Sequence, residues 1–325
     1  MKKIFLIMIS FMFLLCGCKR VTEESIKSDL NKNINNIKGY HIVGKLDVYN
    51  GDNTFRYDVE SSKYKNNYRV SLINKSNDHE QIILKNNDAV YVLNPSLKKS
   101  YKFQSNWPEN SSQIYILESL LGDINNDKNI KLINKKNNYV IETKLAFTNN
   151  KNLVKEKIYL DKNLNIKKVE VYNDNGSIQM RFKINSIDKK AVFNDDYFKP
   201  DENMNTDKEE ETMSTIDDTI YPMYLPSGTY LSNEENISTS NGERVILTFQ
   251  GETPFIMVQE TVDLDKEEMS VSGDPEFITD TVGSVSDNSI EFISNGISYY
   301  ISSDSMNSHE MMQVAESLSP ITVMK

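Results

Sequence analysis

Between residues 40 and 187 the chain repeats one pattern, and it constrains the fold more than any other feature. Apolar and polar residues alternate over short runs, and Asn-rich turns separate the runs. Tyr40, Ile42, Gly44, Leu46 and Val48 alternate with polar neighbours; Asn50-Gly51-Asp52-Asn53 follows as a turn; then Phe55, Tyr57 and Val59 alternate with Arg56, Asp58 and Glu60. A period of two places each set on its own face of a strand, and the short turn joins the strands as a hairpin. The same reading predicts strands at 68–73, 81–84, 89–93, 99–103, 131–133, 139–147, 153–160, 166–172 and 177–187. In the last of these, Ile178, Met180, Phe182 and Ile184 alternate with Gln179, Arg181, Lys183 and Asn185. Neighbouring hairpins with one apolar face each make a single antiparallel sheet that has to cover that face. A long sheet does so by curling, with a helix laid across the opening.

Two segments supply such helices. Residues 19–38 carry Ile26, Leu30, Ile34 and Ile37 at helical spacing, Thr22 as the cap, Glu23 and Glu24 in the first turn and Gly39 as the stop. After Trp107-Pro108, a cap at Asn110, Ser111 or Ser112 predicts a second helix that buries Ile114, Leu117, Leu121 and Ile124. Residues 201–219 are acidic, Thr-rich and nearly free of large apolar side chains, the composition of a linker. From Ile220 a smaller β-rich domain follows, with strands at 244–249, 254–260, 289–293 and 297–301, a tight turn at Asn295-Gly296, and a closing helix capped by Ser308 that presents Met311, Val314, Ala315 and Leu318. Pro320 stops that helix. The fold class is α+β, mainly antiparallel β.

The net charge of −10 is unevenly placed. Residues 201–325 hold 4 basic and 25 acidic residues, whereas residues 18–200 hold 31 basic and 22 acidic. The basic half interleaves its charges with acids and the acidic half repels phosphate, which argues against nucleic acid as a partner. The basic domain is expected near anionic headgroups, with the acidic one held away.

Chemistry-bearing residues are few. Three histidines (His41, His79, His309) and two cysteines separated by one residue (Cys16, Cys18) assemble neither a zinc site nor a disulfide framework. No serine lies in a Gly-x-Ser-x-Gly turn, and there is no Gly-rich phosphate loop. Asp123, Asn125 and Asp127 match the start of a calcium loop, but Lys128 replaces its glycine and Asn134 its bidentate glutamate; the spacing reads as a turn. Asp263, Asp265, Glu267 and Glu268 form a similar weak acidic group. No catalytic, cofactor-binding or metal-binding residue is therefore expected. The aromatic strand residues (Tyr40, Phe55, Tyr57, Tyr68, Tyr101, Phe147, Phe182) line either a packed core or a lipid-sized groove, and periodicity does not separate the two.

The amino terminus fixes the compartment. Lys2 and Lys3 precede an apolar run from Ile4 to Leu15, which falls short of the about 20 residues a spanning helix needs. This is a signal-peptide core. It ends in Leu15-Cys16-Gly17-Cys18, which resembles the bacterial lipobox. The resemblance implies cleavage before Cys18, a diacylglycerol on its sulfur, and a lipoprotein held by acyl chains on the extracytoplasmic face of the cell membrane.

Residues 18–200 resemble the LolA-like lipoproteins of spore-forming bacteria, a group that includes sporulation and germination lipoproteins. The likeness rests on Ile37-Lys38-Gly39-Tyr40, Tyr68-Arg69-Val70, Gln81-Ile82-Ile83-Leu84, the run Val90-Tyr91-Val92-Leu93-Asn94-Pro95-Ser96, the run Phe103-Gln104-Ser105-Asn106-Trp107-Pro108, Asn110-Ser111-Ser112-Gln113, Leu160-Asp161-Lys162 and Val169-Glu170-Val171. It implies an open half β-barrel of about eleven strands with helices plugging its mouth. In outer-membrane systems that concavity holds lipoprotein acyl chains. An anchor on Cys18 stops this chain from shuttling, so the resemblance favours a fixed, non-enzymatic scaffold in envelope or spore maturation or germination, with a protein partner such as a cell-wall enzyme. The alternative is a lipid- or lipoprotein-binding protein with an acyl chain in the concave face. Residues 220–325 resemble a small domain appended to extracytoplasmic lipoproteins, through Gly296-Ile297-Ser298-Tyr299-Tyr300-Ile301 and the helix ending Val314-Ala315-Glu316-Ser317-Leu318; that likeness implies no activity. The expected organisation is a signal peptide at 1–17, a LolA-like domain at 18–200, an acidic linker at 201–219 and a small α+β domain at 220–325.

Overall fold

The computed structural model describes residues 21–109, 113–136, 138–145, 151–205, 215–239, 242–262 and 267–318. Helix α1 (Glu23–Asn35) starts on a reciprocal capping box. The Ser25 amide donates to Thr22 Oγ1 at 3.2 Å, and the Thr22 amide donates to Ser25 Oγ at 2.9 Å, which satisfies two amides that a helix start leaves free. The helix ends at the Asn36 cap, before Gly39. Gly39 instead opens the first strand where another segment crosses it: a Cβ there would lie 2.4 Å from the Ala191 carbonyl oxygen. The sequence expectation of a glycine stop is corrected by that close approach.

Six strands follow: β1 (Gly39–Asn50), β2 (Asn53–Tyr64), β3 (Asn67–Asn74), β4 (Glu80–Lys85), β5 (Val90–Asn94) and β6 (Lys99–Phe103). Helix α2 (Leu117–Asn126) comes next. It begins later than expected, with Ile116 at the cap position and no side-chain cap bond; residues 110–112 lie outside the described residues. Five more strands complete the series: β7 (Lys131–Lys135), β8 (Asn138–Lys144), β9 (Leu153–Leu160), β10 (Ile166–Asn173) and β11 (Ile178–Asp188). All eleven pair antiparallel in one open sheet, in which β1 joins β2 on one side and β11 on the other. The longest hairpin runs in unbroken register from Gly39↔Tyr64 to Asn50↔Asn53, as the alternation and the Asn-Gly turn predicted. Gly44 marks a register shift between β1 and β11; the Phe182 ring lies over it, 2.6 Å from where a Cβ would stand.

α1 and α2 lie on the apolar face of this sheet. Ile26, Leu30 and Ile34 from one and Leu117, Leu120, Leu121 and Ile124 from the other share a core with Tyr40, Leu46, Val59, Val70, Ile158, Val169 and Phe182. An antiparallel sheet hides one face in this way and leaves the other to water. An open antiparallel sheet under covering helices is the arrangement that the sequence resemblance implied.

The chain then forms a short helix α3 (Pro200–Met204) and a second sheet from β12 (Thr229–Thr239), β13 (Gly242–Gly251), β14 (Phe255–Thr261), β16 (Asp274–Ile278), β17 (Thr281–Val285), β18 (Ser289–Ser294) and β19 (Ile297–Ser302), in the order β12-β13-β14-β19-β18-β17-β16. Asn295 and Gly296 both take positive φ, 51° and 74°, as a two-residue hairpin turn requires. Helix α4 (Ser308–Glu316) covers one face with Met311, Met312, Val314 and Ala315. Its cap is Asn307, one residue before the expected Ser308, because Glu310 closes a capping box back onto Asn307.

One strand leaves the second sheet. β15 (Glu267–Val271) pairs in parallel with β6, from Glu267↔Lys99 to Val271↔Phe103, and becomes the twelfth strand of the first sheet. Val262, Val282 and Ile293 belong to the core of the first sheet, with Met269, Val271 and Phe277 packed against it. The Gln81 side chain reads the edge of β17 as another backbone would: it donates to the Val282 carbonyl at 3.2 Å and accepts from the Val282 amide at 2.8 Å.

Candidate docking surface

Cys18, the expected lipid-attachment residue, lies outside the described residues. The histidines are dispersed. His41 Nδ1 lies 2.9 Å from Ser62 Oγ, which also contacts Tyr197 OH at 3.1 Å. The pair faces directly across β1 and β2, and Ser62 is 1% exposed, so a substrate has no path to its hydroxyl. Among the described residues no group of three or more His, Cys, Asp or Glu is placed to hold a metal ion. The acidic spacing at 123–127 is occupied by the chain itself: Lys27 Nζ donates to the carbonyls of Asn125 and Asp127 at 3.3 and 3.1 Å. Burial works to raise the Asp127 carboxyl, but donation from the Asn129 and Lys144 amides and the Thr143 hydroxyl outweighs it and holds it below the usual range. That is a helix-to-strand turn locked by its own cap.

One acid is enclosed in the core. Glu156 on β9 is fully buried, directly across from Thr143 and Val171. Neither of its oxygens meets a hydrogen-bond partner among the described residues. Burial first, and then the neighbouring Asp123, raises its carboxyl well above the usual range, so it sits protonated under α2.

The aromatic strand residues resolve as packed core. Tyr40, Tyr57, Tyr68, Tyr101 and Phe182 are buried; Phe55 packs at the margin, and Phe147 lies outside the described residues. The second sheet completes the filling. Phe277 meets Tyr57 and Tyr115 edge-on, at ring separations of 5.9 and 6.4 Å, and Tyr115 meets Phe182 in the same way at 6.4 Å. The hollows left along this junction measure about 80, 30 and 20 Å³. Sites for drug-sized ligands run from about 300 Å³.

The largest of these junction hollows lies between Val48, Tyr49, Met180 and Phe277 on one side and Met312 and Glu316 of α4 on the other. Asn50 Nδ2 donates to the Glu316 carbonyl at 3.1 Å across it. Burial pushes the Glu316 carboxyl up to about 7. The unfolded chain loses that proton near 4.5, so the folded chain binds more protons between those values and loses stability as pH rises from about 4.5 to about 7. Glu316→Gln is expected to flatten that part of the slope. Urea midpoints measured across the window check it; identical slopes for both proteins would contradict the assignment.

The water-facing side of the first sheet is satisfied internally. Cross-strand neighbours Lys131, Glu142, Lys157, Glu170, Arg181, Asp47 and Arg56 alternate in sign across seven strands. Burial acts to raise the Glu170 carboxyl, but hydrogen bonds from Lys168, Tyr159, Tyr172 and Arg181 hold it at about 2. These charges are spent on one another.

The second sheet is different. Among the described residues eleven large apolar side chains stand exposed, and eight of them lie between Tyr221 and Tyr300. One row across the uncovered face of this sheet reads Glu235, Ile246, Val258, Tyr300 and Glu291, an apolar centre with a carboxylate at each end. Tyr230 and Ile237 stand exposed on β12 beside it, and Leu231, opposite Phe249, stands exposed on the other face of the same strand. Burial raises the Glu291 carboxyl. Contiguous apolar surface rimmed by polar groups marks a place where another molecule docks. The sequence reading singled out none of these residues except Tyr300, and that one for its resemblance alone.

The fold and this surface define a mainly antiparallel β protein that carries a second sheet docked against the first and an exposed apolar, acid-rimmed face. The chain belongs to the family of the sporulation protein YdcC of Bacillus subtilis (strain 168), with which it shares 32% identity over 313 residues, covering 94% of this chain and 93% of that protein. No protein-family model matches it. Among solved structures, it is similar to MucB at 11% identity over 90% of this chain and 96% of that one, with a TM-score of 0.36. It is also similar to a chain of the complex between the CwlD amidase of Clostridioides difficile and the GerS lipoprotein, at 20% identity over 52% of this chain and 96% of that one, with a TM-score of 0.31. A LolA superfamily protein, NE2245 from Nitrosomonas europaea, matches at 16% identity over 56% of this chain and 99% of that one, with a TM-score of 0.32.

Proposed function

We propose that this protein is a lipid-anchored, extracytoplasmic, non-enzymatic scaffold that holds a protein partner during sporulation. The family supplies the setting, since the relative that shares nearly the whole length is a sporulation protein. Leu15-Cys16-Gly17-Cys18 supplies the anchor, with the acyl chains on Cys18. The proposed attachment to the bilayer rests on that cysteine; among the described residues no helix is long and apolar enough to cross a membrane. The observation that carries the reading is the filled concavity. The chain's own Val282 belongs to the core on the apolar face of the first sheet and Phe277 packs against it, while the uncovered face of the second sheet stays available. That arrangement favours gripping a protein over carrying a lipid. The partner fits the description of an envelope or cell-wall enzyme whose position the anchor fixes.

Cys18→Ser is expected to move the protein from the detergent phase to the aqueous phase on membrane partitioning, while its circular dichroism stays unchanged. A serine variant that remains with the membrane would overturn the anchor.

A further inference from the structure

Among the described residues four strand edges close the two sheets: β7 and β15 in the first, β12 and β16 in the second. An open edge offers unpaired amides and carbonyls to any extended chain, and proteins blunt such edges with short strands, lysines or prolines. Three of these four are blunted. β7, β15 and β16 are five residues each; β7 begins and ends in lysine, and β16 contains Pro275. β12 is eleven residues long and has neither lysine nor proline. Every residue from Tyr230 to Ser238 is exposed. Its only irregularity is the register shift between Leu231 and Asn233, near one end.

At its centre β12 carries Glu234 and Glu235. Successive residues of a strand point to opposite faces, so each face of the edge presents one carboxylate. Both are held in place. Tyr221 OH donates to Glu234 at 2.7 Å and Thr219 Oγ1 at 3.1 Å, and Asn233 Nδ2 donates to Glu235 at 2.9 Å. The Tyr221 bond leads in keeping the Glu234 carboxyl below its usual range, so it stays ionised. Self-pairing is opposed by the same pair: two copies of β12 joined antiparallel about their centres would set these carboxylates against each other. The surrounding region is acidic too, with 17 Asp and Glu against 3 Lys and Arg in residues 220–325.

We propose that β12 receives an extended segment of a protein partner as one further strand of the second sheet, and that the segment carries two adjacent basic residues opposite Glu234 and Glu235, flanked by apolar residues that meet Leu231 and Ile237. This names the partner chemistry for the scaffold reading above and rests on it. Main-chain bonds along the edge supply attachment, and the paired charges set register and reject acidic or identical strands.

The full chain bearing Cys18→Ser is titrated by calorimetry with two synthetic peptides of about ten residues, the length of the edge. One has Lys-Lys at its centre between valines and threonines; the other has Glu-Glu in the same frame. The Lys-Lys peptide is expected to bind, to slow amide exchange along β12 and to weaken as salt is added. Glu234→Lys combined with Glu235→Lys lies on an exposed strand and is expected to cut its affinity by about tenfold or more while raising that of the Glu-Glu peptide. Equal binding of both peptides, indifference to the double substitution, dimerisation of the protein through β12, or binding without slowed exchange at β12 would each overturn the assignment. Capture from detergent-solubilised membranes of sporulating cells separates the two layers. If wild type and double variant recover the same partner equally, the edge assignment fails and the scaffold reading stands. If neither recovers a stoichiometric partner, the scaffold reading fails.

Discussion

Val282→Asp is expected to unseat the second sheet from the first, at a cost of about 3–5 kcal/mol for an unpaired charge placed in a sealed core. Val282 is 1% exposed and belongs to the same core as Tyr57, Val92 and Tyr101. Its backbone is also the segment that Gln81 holds by two hydrogen bonds. Gln81→Ala is the milder companion, because it leaves the apolar contact and strips the amide and carbonyl of their partner, a loss of about 1–3 kcal/mol. Limited proteolysis checks both. Val282→Asp should open cleavage between residues 262 and 282 under conditions where the wild type resists, with the intermediate sensitivity of Gln81→Ala falling between the two. Resistance in the aspartate variant would mean that the sheets are seated by other contacts, and the closed concavity would lose its support.

Glu156→Gln is expected to stabilise the protein at neutral pH, an unusual sign for a core substitution. The wild-type acid is neutral when folded and ionised when unfolded, so each pH unit above the ordinary carboxylate range costs about 1.4 kcal/mol until the raised folded value is reached. At pH 7 glutamine removes that penalty, and toward the ordinary carboxylate range the two proteins should converge. Urea unfolding at both pH values tests this. A glutamine variant no more stable than wild type at pH 7 would show that Glu156 is charged and paired in the folded state.

Much of the half-barrel was readable because burial writes itself into alternation. β1 and β2 face water on one side and α1 on the other, and the period-two pattern with its Asn-Gly turn gave both strands and their register. The same logic explains what was missed. β12 carries no alternation because neither of its faces is buried, so TYLSNEENIST gives no strand signal and takes no assignment from sequence. β16 and β17 contain Pro275 and Gly283, which argue locally against strands; the neighbouring sheet and the shared core hold them. β15 took its place from a pairing with β6, more than a hundred residues away in the sequence, and its glutamates looked like an acidic cluster. The acidity of the C-terminal region was plain from composition. That it converges on an unblunted edge was not, because an edge is defined by the absence of a neighbour, and sequence does not record absences of that kind.

The central claim is that the molecule holds a protein while fixed to the membrane by Cys18. The direct measurement is native mass spectrometry of the complex released in mild detergent from membranes of sporulating cells. The expected result is a triacylated or diacylated chain in stoichiometric association with a second polypeptide, and no acyl cargo beyond the covalent anchor. A chain carrying a non-covalent lipid in its first domain and no protein partner would contradict it.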